Sequence, residues 1–325
     1  MNDLIYRQTI KEFEKKRTVK EMISNQRLHE IYSILPRIKK INDELNILGL
    51  QLTKILMRTN NAANHYMDQF EKKTAALNKE KIAILTSAGY SKDYLDSQYD
   101  CIQCNDTGFV NNSICSCFTK ALIKKYYQQS NLEKILDIEN FDNFRLDYYD
   151  TKTKNHPISP NLNIQNIFSK AIHFVKNFDT NDDNLYLYGN PGLGKTYLSH
   201  CIAKDLLDNG HSVIYQTATD LIDSIRKSKF DQSKYIIMVD CLYDCDLLII
   251  DDLGTENLTD FSSNELFNLI NRRLIDNKKH VISTNLSLKE LENRYNSRLT
   301  SRIMGYFTYL KFIGEDIRLK KAKIL

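Results

Sequence analysis

The fold of this chain is decided by the stretch Gly189-Asn190-Pro191-Gly192-Leu193-Gly194-Lys195-Thr196. It matches the pattern G-x-x-x-x-G-K-[ST] without a departure, an apolar run at 185–188 precedes it, and a predicted helix starts at Thr196. In this context the backbone N–H groups and the helix N-terminus attract phosphate groups. Lys195 then reaches the terminal phosphates and the Thr196 hydroxyl ligates Mg²⁺. All eight residues are therefore predicted to bind ATP with Mg²⁺.

On both sides of this loop, short apolar runs alternate with amphipathic stretches. The apolar runs lie at 185–188, 213–216, 247–250 and 281–284, and helical patterns lie at 198–207 and 264–274. Such alternation predicts an α/β fold in which helices cover both faces of a parallel sheet. We place this P-loop ATPase domain at 141–325.

Two acidic residues directly follow the apolar run at 247–250. An acid at the carboxyl end of a buried strand lies opposite the phosphate-binding loop, so Asp251 is predicted to hold Mg²⁺. Asp252 occupies the position that polarises the attacking water, where many ATPases carry Glu. Because Asp is one methylene shorter, hydrolysis is expected to be slow or to need a partner. The alternative is a pair of acids that only caps the strand.

Further polar residues follow in an order that extends the site. Asn285 ends the run at 281–284, where it can bridge the water and the γ-phosphate, although Asn also ends strands for turn reasons. Arg298 and Arg302 are four residues apart and share one face of a helix. An arginine presented by a neighbouring subunit completes some ATPase sites, and a solvated basic face is the alternative. Arg318 is a third arginine able to return to the nucleotide.

Length and composition limit the class of protein. A chain of 325 residues suits two domains. No apolar run approaches the roughly 18 residues of a membrane helix, and residues 1–20 lack the apolar core of a signal peptide. We therefore expect a cytoplasmic protein that does not enter the membrane.

A net charge of +4 permits nucleic-acid binding only where basic residues cluster. One such cluster, 226–230, combines three cations with Phe230 and is a candidate for single-stranded DNA, although a solvated helix end explains it as well.

The first 97 residues are polar, nearly free of Gly and Pro, and helical in pattern. Leu45, Leu48, Leu52 and Ile55 share one helical stripe. Pro36 and Gly49 are expected to interrupt the helices. Both a self-contained bundle and a partner-binding module fit this region. The pattern at 118–138 predicts a connecting helix. In the division of the chain into domains, this helix is given the segment 121–140.

Four of the seven cysteines fall in the segment 98–120. They are Cys101, Cys104, Cys115 and Cys117. Four thiolates suffice for a closed tetrahedral Zn²⁺ site, and Asp106-Thr107-Gly108, after the second cysteine, provides the turn that brings the chain back. A redox pair is the alternative, but the thioredoxin-like βαβ context is missing. The other three cysteines are expected in the core.

The P-loop, the acid pair, Thr284-Asn285 and the late arginines together resemble the AAA+ ATPases. The pattern is most similar to bacterial replicative helicase loaders of the DnaC/DnaI type. Residues 140–149, Leu253-Gly254 and Gly-Glu-Asp-Ile-Arg at 314–318 carry this closer resemblance. It implies that Asn285 is sensor 1, that Arg302 is the arginine finger with Arg298 beside it, and that Arg318 is sensor 2.

The same resemblance implies an ATP-dependent factor that places a hexameric DnaB-type helicase on single-stranded DNA. It further implies that 1–97 binds the helicase and that the ATPase domain self-associates. A transposition helper ATPase (IstB-like) is the first alternative, disfavoured by the four-cysteine segment. An adaptor that binds nucleotide without hydrolysis is the second, disfavoured by the complete set Lys195, Thr196 and Asp251. An origin-reading initiator is less favoured still.

Overall fold

The computed structural model describes residues 3–56, 63–111, 113–129, 132–153, 157–230 and 236–321. The chain divides into two compact units. One consists of Ile10–Val110, and the other of Met1–Thr9 with Asn111–Leu325. The four-part division given above stays a prediction.

Long helices form the N-terminal part: α1 (Asp3–Ile34), α2 (Pro36–Leu56) and α3 (Ala63–Ser87). Pro36 opens α2, so the predicted break there is confirmed. The interruption predicted at Gly49 is wrong, because Gly49 lies inside α2. A glycine in a helix costs about 1 kcal/mol relative to alanine. Packing outweighs this cost: the predicted stripe on α2 is half-buried, and its members Leu48, Leu52 and Ile55 line a cavity together with Phe70 of α3.

Short elements follow. The strands β1 (Phe109–Val110) and β2 (Ser113–Ile114) form a two-stranded sheet. They lead into α4 (Ser116–Gln129) and α5 (Leu132–Ile138). Both helices lie within the connecting helix predicted at 118–138 or overlap it, and residues 130–131 between them lie outside the described part, so its continuity stays a prediction.

A five-stranded parallel sheet organises the part of the chain predicted to be the ATPase domain. Its strands are β3 (Leu185–Tyr188), β4 (Val213–Thr217), β5 (Leu247–Leu253), β6 (Lys279–Thr284) and β7 (Thr308–Lys311), in the order β4-β5-β6-β3-β7. Its helices are α6 (Pro160–Lys176), α7 (Lys195–Asp208), α8 (Ala218–Phe230), α9 (Ile236–Asp244), α10 (Asp260–Ile275), α11 (Leu288–Arg294), α12 (Ser297–Tyr306) and α13 (Ile317–Lys321). The predicted α/β class and its four predicted strands are confirmed, whereas β7 was not predicted.

The burial of β5 matches its position inside the sheet, between β4 and β6. The residues of β5 at 247–250 are fully buried, as expected for an inner strand covered by helices on both faces.

Cys201, Cys241 and Cys245 are buried as predicted. Among the described residues, no helix combines the length and apolar character needed to cross a bilayer.

A buried cation joins the starts of β5 and β6. Arg273 of α10 is fully buried, and its guanidinium donates to the carbonyl oxygens of Leu242, Tyr243, Cys245 and Lys279 at 2.7–3.1 Å. Carbonyl oxygens thus replace the water that a guanidinium would otherwise bind. Because these residues precede β5 or open β6, Arg273 sets the spacing of the two strands that carry the acidic residues and Asn285.

Candidate functional site

The loop at 189–194 joins β3 to α7 and is covered by a C-terminal segment. Gly192 has a φ of 75°, and a Cβ on it would lie 2.0–2.5 Å from the Asp316 carboxylate. Only glycine therefore fits this position. The Ile317 amide donates to the Gly192 carbonyl oxygen at 2.9 Å. The segment that begins α13 thus packs directly on the predicted phosphate loop.

Lys195 is buried at the start of α7. Its Nζ donates to the Gly189 and Asn190 carbonyl oxygens at 2.7 and 2.8 Å and to Asn285 Oδ1 at 2.8 Å. Burial lowers the pKa of Lys195 to about 8, against the opposing effect of Asp252 and Asp251. The structure therefore brings Asn285 to the P-loop lysine, 90 residues away in sequence.

Asp251 lies at the adjacent end of β5, 3% exposed. Thr196 Oγ1 donates to its Oδ2 at 3.0 Å, and Tyr215 Oη donates to the same oxygen at 2.5 Å. Ser283 Oγ donates to Oδ1. Thr196 and Asp251 thus offer adjacent oxygen atoms, the ligand type that Mg²⁺ prefers.

Asp252 has an unusual backbone conformation. Its φ is 53°, a left-handed value that non-glycine residues seldom adopt. The pairing of β5 with β6 shifts register between Ile250 and Leu253, and the Asp252 amide donates to Ser283 Oγ at 3.0 Å. This bulge places Asp252 at the cavity, since such irregularities re-aim side chains next to active sites. Burial, and then the charge of Asp251, raise the pKa of Asp252.

Lys195, Thr196, Asp252 and Asn285 line a cavity of about 740 Å³. Among the lining residues is a group that the sequence analysis did not assign to the site: Ile138, Glu139, Asn143, Phe144, Arg145, Tyr148, Tyr149, Tyr197 and Ile317. Tyr149 Oη donates to the Leu193 carbonyl oxygen at 2.9 Å, and Tyr197 Oη to that of Asn143 at 3.1 Å. The aromatic run at 141–149 was the available signal, but it was used only as part of the family resemblance.

The arginines divide into two groups. Arg318 lines the cavity of its own chain. Arg298 and Arg302 lie one turn apart on α12, whose N-terminus is capped by Asn296. Neither is among the described residues that line the cavity. Arg302 lies over the ring of Tyr306, 5.8 Å from its centroid.

The four clustered cysteines converge. The Sγ atoms of Cys101, Cys104, Cys115 and Cys117 lie within 4.8 Å of one another. The buried Asp106 accepts hydrogen bonds from the amides of Asp100 and Cys101, each at 2.9 Å, and so closes the loop that carries Cys101 and Cys104. A compact set of four thiol sulfurs fits a tetrahedral Zn²⁺ ion.

The basic cluster on α8 is partly engaged within the chain. Arg226 and Lys229 both lie over the ring of Phe261, at 5.8 and 5.1 Å, and Lys229 also pairs with Glu265. Lys227 is exposed, and the side chain of Phe230 lies outside the described part. Two of the three cations thus have partners inside the chain.

A family model described as IstB-like ATP binding protein matches residues 158–323, just over half of the chain. The chain belongs to the IstB-like ATP-binding protein family. Its matched region contains every residue predicted here for nucleotide and Mg²⁺. The predicted resemblance to AAA+ proteins of the DnaC/DnaI type is confirmed at the level of family and fold.

Named relatives of this IstB-like chain include the replicative helicase loader DnaC of Escherichia coli, 28% identical over 158 residues. That match covers 47% of this chain and 63% of DnaC. The phage-like element PBSX protein XkdC of Bacillus subtilis is 25% identical over 225 residues, covering 64% of this chain and 79% of XkdC. A crystal structure of the DnaC helicase loader aligns with a TM-score of 0.45 at 24% identity, covering 53% of this chain and 98% of that one.

Proposed function

We propose that this chain is an ATP-dependent loader that binds the replicative ring helicase and delivers it onto single-stranded DNA. The observation that carries the proposal is that Lys195, Thr196, Asp252 and Asn285 line one cavity, while Asp251 contacts Thr196 beside it. The loader DnaC, matched over this region, supports the helicase as partner.

In the proposed ATPase reaction each residue has a separate task. Lys195 exchanges its carbonyl partners for the terminal phosphates, and Asn285 keeps its amide beside them. Thr196 and Asp251 would hold Mg²⁺, which neutralises charge on the phosphates. Asp252 accepts a hydrogen bond from the attacking water. Arg318 approaches the nucleotide from the same chain, and Arg302, with Arg298 beside it, approaches from a neighbour.

We further propose that the helices of 1–97 bind the hexameric DnaB-type helicase and that the ATPase domains of 141–325 associate with one another. Single-stranded DNA is proposed to contact 226–230, where Lys227 and Lys229 are exposed. The segment 121–140 connects these parts. Such a factor would act in the cytoplasm.

A transposition helper is the second candidate, because the matching family is named after IstB-like proteins. Both functions would use the same ATPase residues. The four-cysteine segment lies outside the matched residues 158–323 and favours the loader. The two candidates predict different partners: a ring helicase for the loader, and duplex DNA with a transposase for the helper.

The partner is tested by native mass spectrometry of this chain with the replicative helicase of its host and a non-hydrolysable ATP analogue. We expect a defined complex of one helicase hexamer with several copies of this chain. The same mixture without nucleotide is the control for ATP dependence. No complex from two folded proteins would contradict the loader and favour the helper. ATP-dependent filament formation on duplex DNA would then be measured.

The four cysteines are proposed to hold a structural Zn²⁺ ion. Metal analysis of anaerobically purified protein should find about one zinc per chain. Replacing Cys101 and Cys104 together by serine should remove it, because two thiolates cannot close the tetrahedral site. Cys241→Ala, which changes a buried cysteine of the ATPase part, should retain the zinc. Wild-type protein without zinc would rule the site out.

A further inference from the structure

Tyr215 contacts the proposed Mg²⁺-binding acid but belongs to none of the motifs. It lies on β4, paired with Ile249 of β5. Its hydroxyl is 2.5 Å from Asp251 Oδ2. The hydroxyl is the donor in this hydrogen bond, because a carboxylate oxygen can only accept.

The Asp251 carboxylate is held from both neighbouring strands. β5 lies between β4 and β6 in the sheet. Tyr215 of β4 donates to Oδ2, and Ser283 of β6 donates to Oδ1. Thr196 approaches from the P-loop. The two flanking hydroxyls therefore oppose rotation of the carboxylate and leave the P-loop side for a cation.

The tyrosine ring is itself held in place. The ring of His200 on α7 lies 4.7 Å from it, and His200 Nδ1 is 2.5 Å from Glu139 Oε2. His200 is buried, and Glu139 lines the cavity. These contacts restrict the ring, so its hydroxyl reaches Asp251 with little freedom to move away.

We propose that Tyr215 is a positioning residue that orients the Asp251 carboxylate toward nucleotide-bound Mg²⁺. This inference rests on the proposed nucleotide site. Partners of a metal ligand set its orientation, and their removal typically weakens metal binding by about 10–100-fold. Loss of the Tyr215 hydroxyl should therefore reduce the gain in nucleotide affinity that Mg²⁺ provides. It should affect the affinity for nucleotide without Mg²⁺ less.

The test compares Tyr215→Phe with wild type by calorimetric titration of ADP, first in excess Mg²⁺ and then in EDTA. ADP is used because it is not turned over. We expect equal affinities in EDTA, whereas the gain from Mg²⁺ should be about 10-fold smaller in the variant. Ser283→Ala, which removes the opposite hydroxyl, should reduce the gain as well. An unchanged melting temperature would exclude a general loss of folding.

Tyr309→Phe is the matched control. Tyr309 lies on β7 of the same sheet, and its hydroxyl donates to the Ile303 carbonyl oxygen at 3.1 Å, away from Asp251. This variant should show the wild-type gain from Mg²⁺. If Tyr215→Phe also shows the wild-type gain, or loses affinity equally in EDTA and Mg²⁺, the positioning role is wrong. If the wild type binds no ADP, the proposed nucleotide site itself fails.

Discussion

Lys195→Ala should abolish nucleotide binding, with an expected loss of affinity of about 100-fold or more. The physical reason is that Lys195 is the buried cation of the P-loop, and hydrogen bonds between charged groups contribute about 1.5–3 kcal/mol each. Its Nζ lies among the carbonyl oxygens of the loop. Binding would be measured by titration with a non-hydrolysable ATP analogue.

The matched control for this prediction is Lys204→Ala. Lys204 lies on the same helix α7, and its Nζ pairs with Asp208 at the surface. This variant should bind nucleotide as the wild type does. Normal binding and turnover by Lys195→Ala would overturn the assignment of the P-loop.

Arg302→Ala should leave ATP binding by the isolated chain nearly intact and lower turnover in the assembled state. An arginine supplied in trans contributes about 10³–10⁵ in turnover, so a loss of this order is expected. The structural basis is that Arg302 lies on α12, outside the described lining of its own cavity. Turnover per site would be measured with helicase and single-stranded DNA present. Arg298→Ala, one turn away, should have the smaller effect.

Mixing two inactive variants tests whether the arginine acts in trans. Arg302→Ala retains an intact nucleotide site, and Asp252→Asn retains the arginine. If Arg302 acts on a neighbour, the mixture should regain part of the lost turnover. A mixture that stays inactive while Arg302→Ala weakens ATP binding by the isolated chain would show that the arginine acts in cis.

Local sequence patterns predicted those parts of the site whose residues are contiguous in the chain or directly follow a strand. The P-loop and its flanking strand are contiguous, and the acids directly follow a buried run, so spacing alone placed Lys195, Thr196 and Asp251 at one sheet edge. Gly49 shows where local reasoning fails. Its low helix propensity predicted a break, but propensity is a weak preference that packing of α2 overrides.

Contacts across strands were beyond such reasoning. Tyr215 and Ser283 flank Asp251 only because β4 and β6 are the neighbours of β5. This strand order cannot be predicted from any short stretch of the sequence. The left-handed backbone of Asp252 has no sequence signal either, since it arises from the bulge against β6.

Residues near in sequence thus defined the α/β class, the phosphate loop and the acid pair, because hydrophobic period and motif spacing are properties of short segments. The tertiary structure decided which side chains surround them. It placed Phe144, Tyr148, Tyr149 and Arg318 in the lining of the cavity, and Arg302 is not among the described residues that line it. These positions depend on strand order and on how segments more than 40 residues apart pack, as in the contact of Tyr149 with Leu193, and tertiary packing alone sets that arrangement.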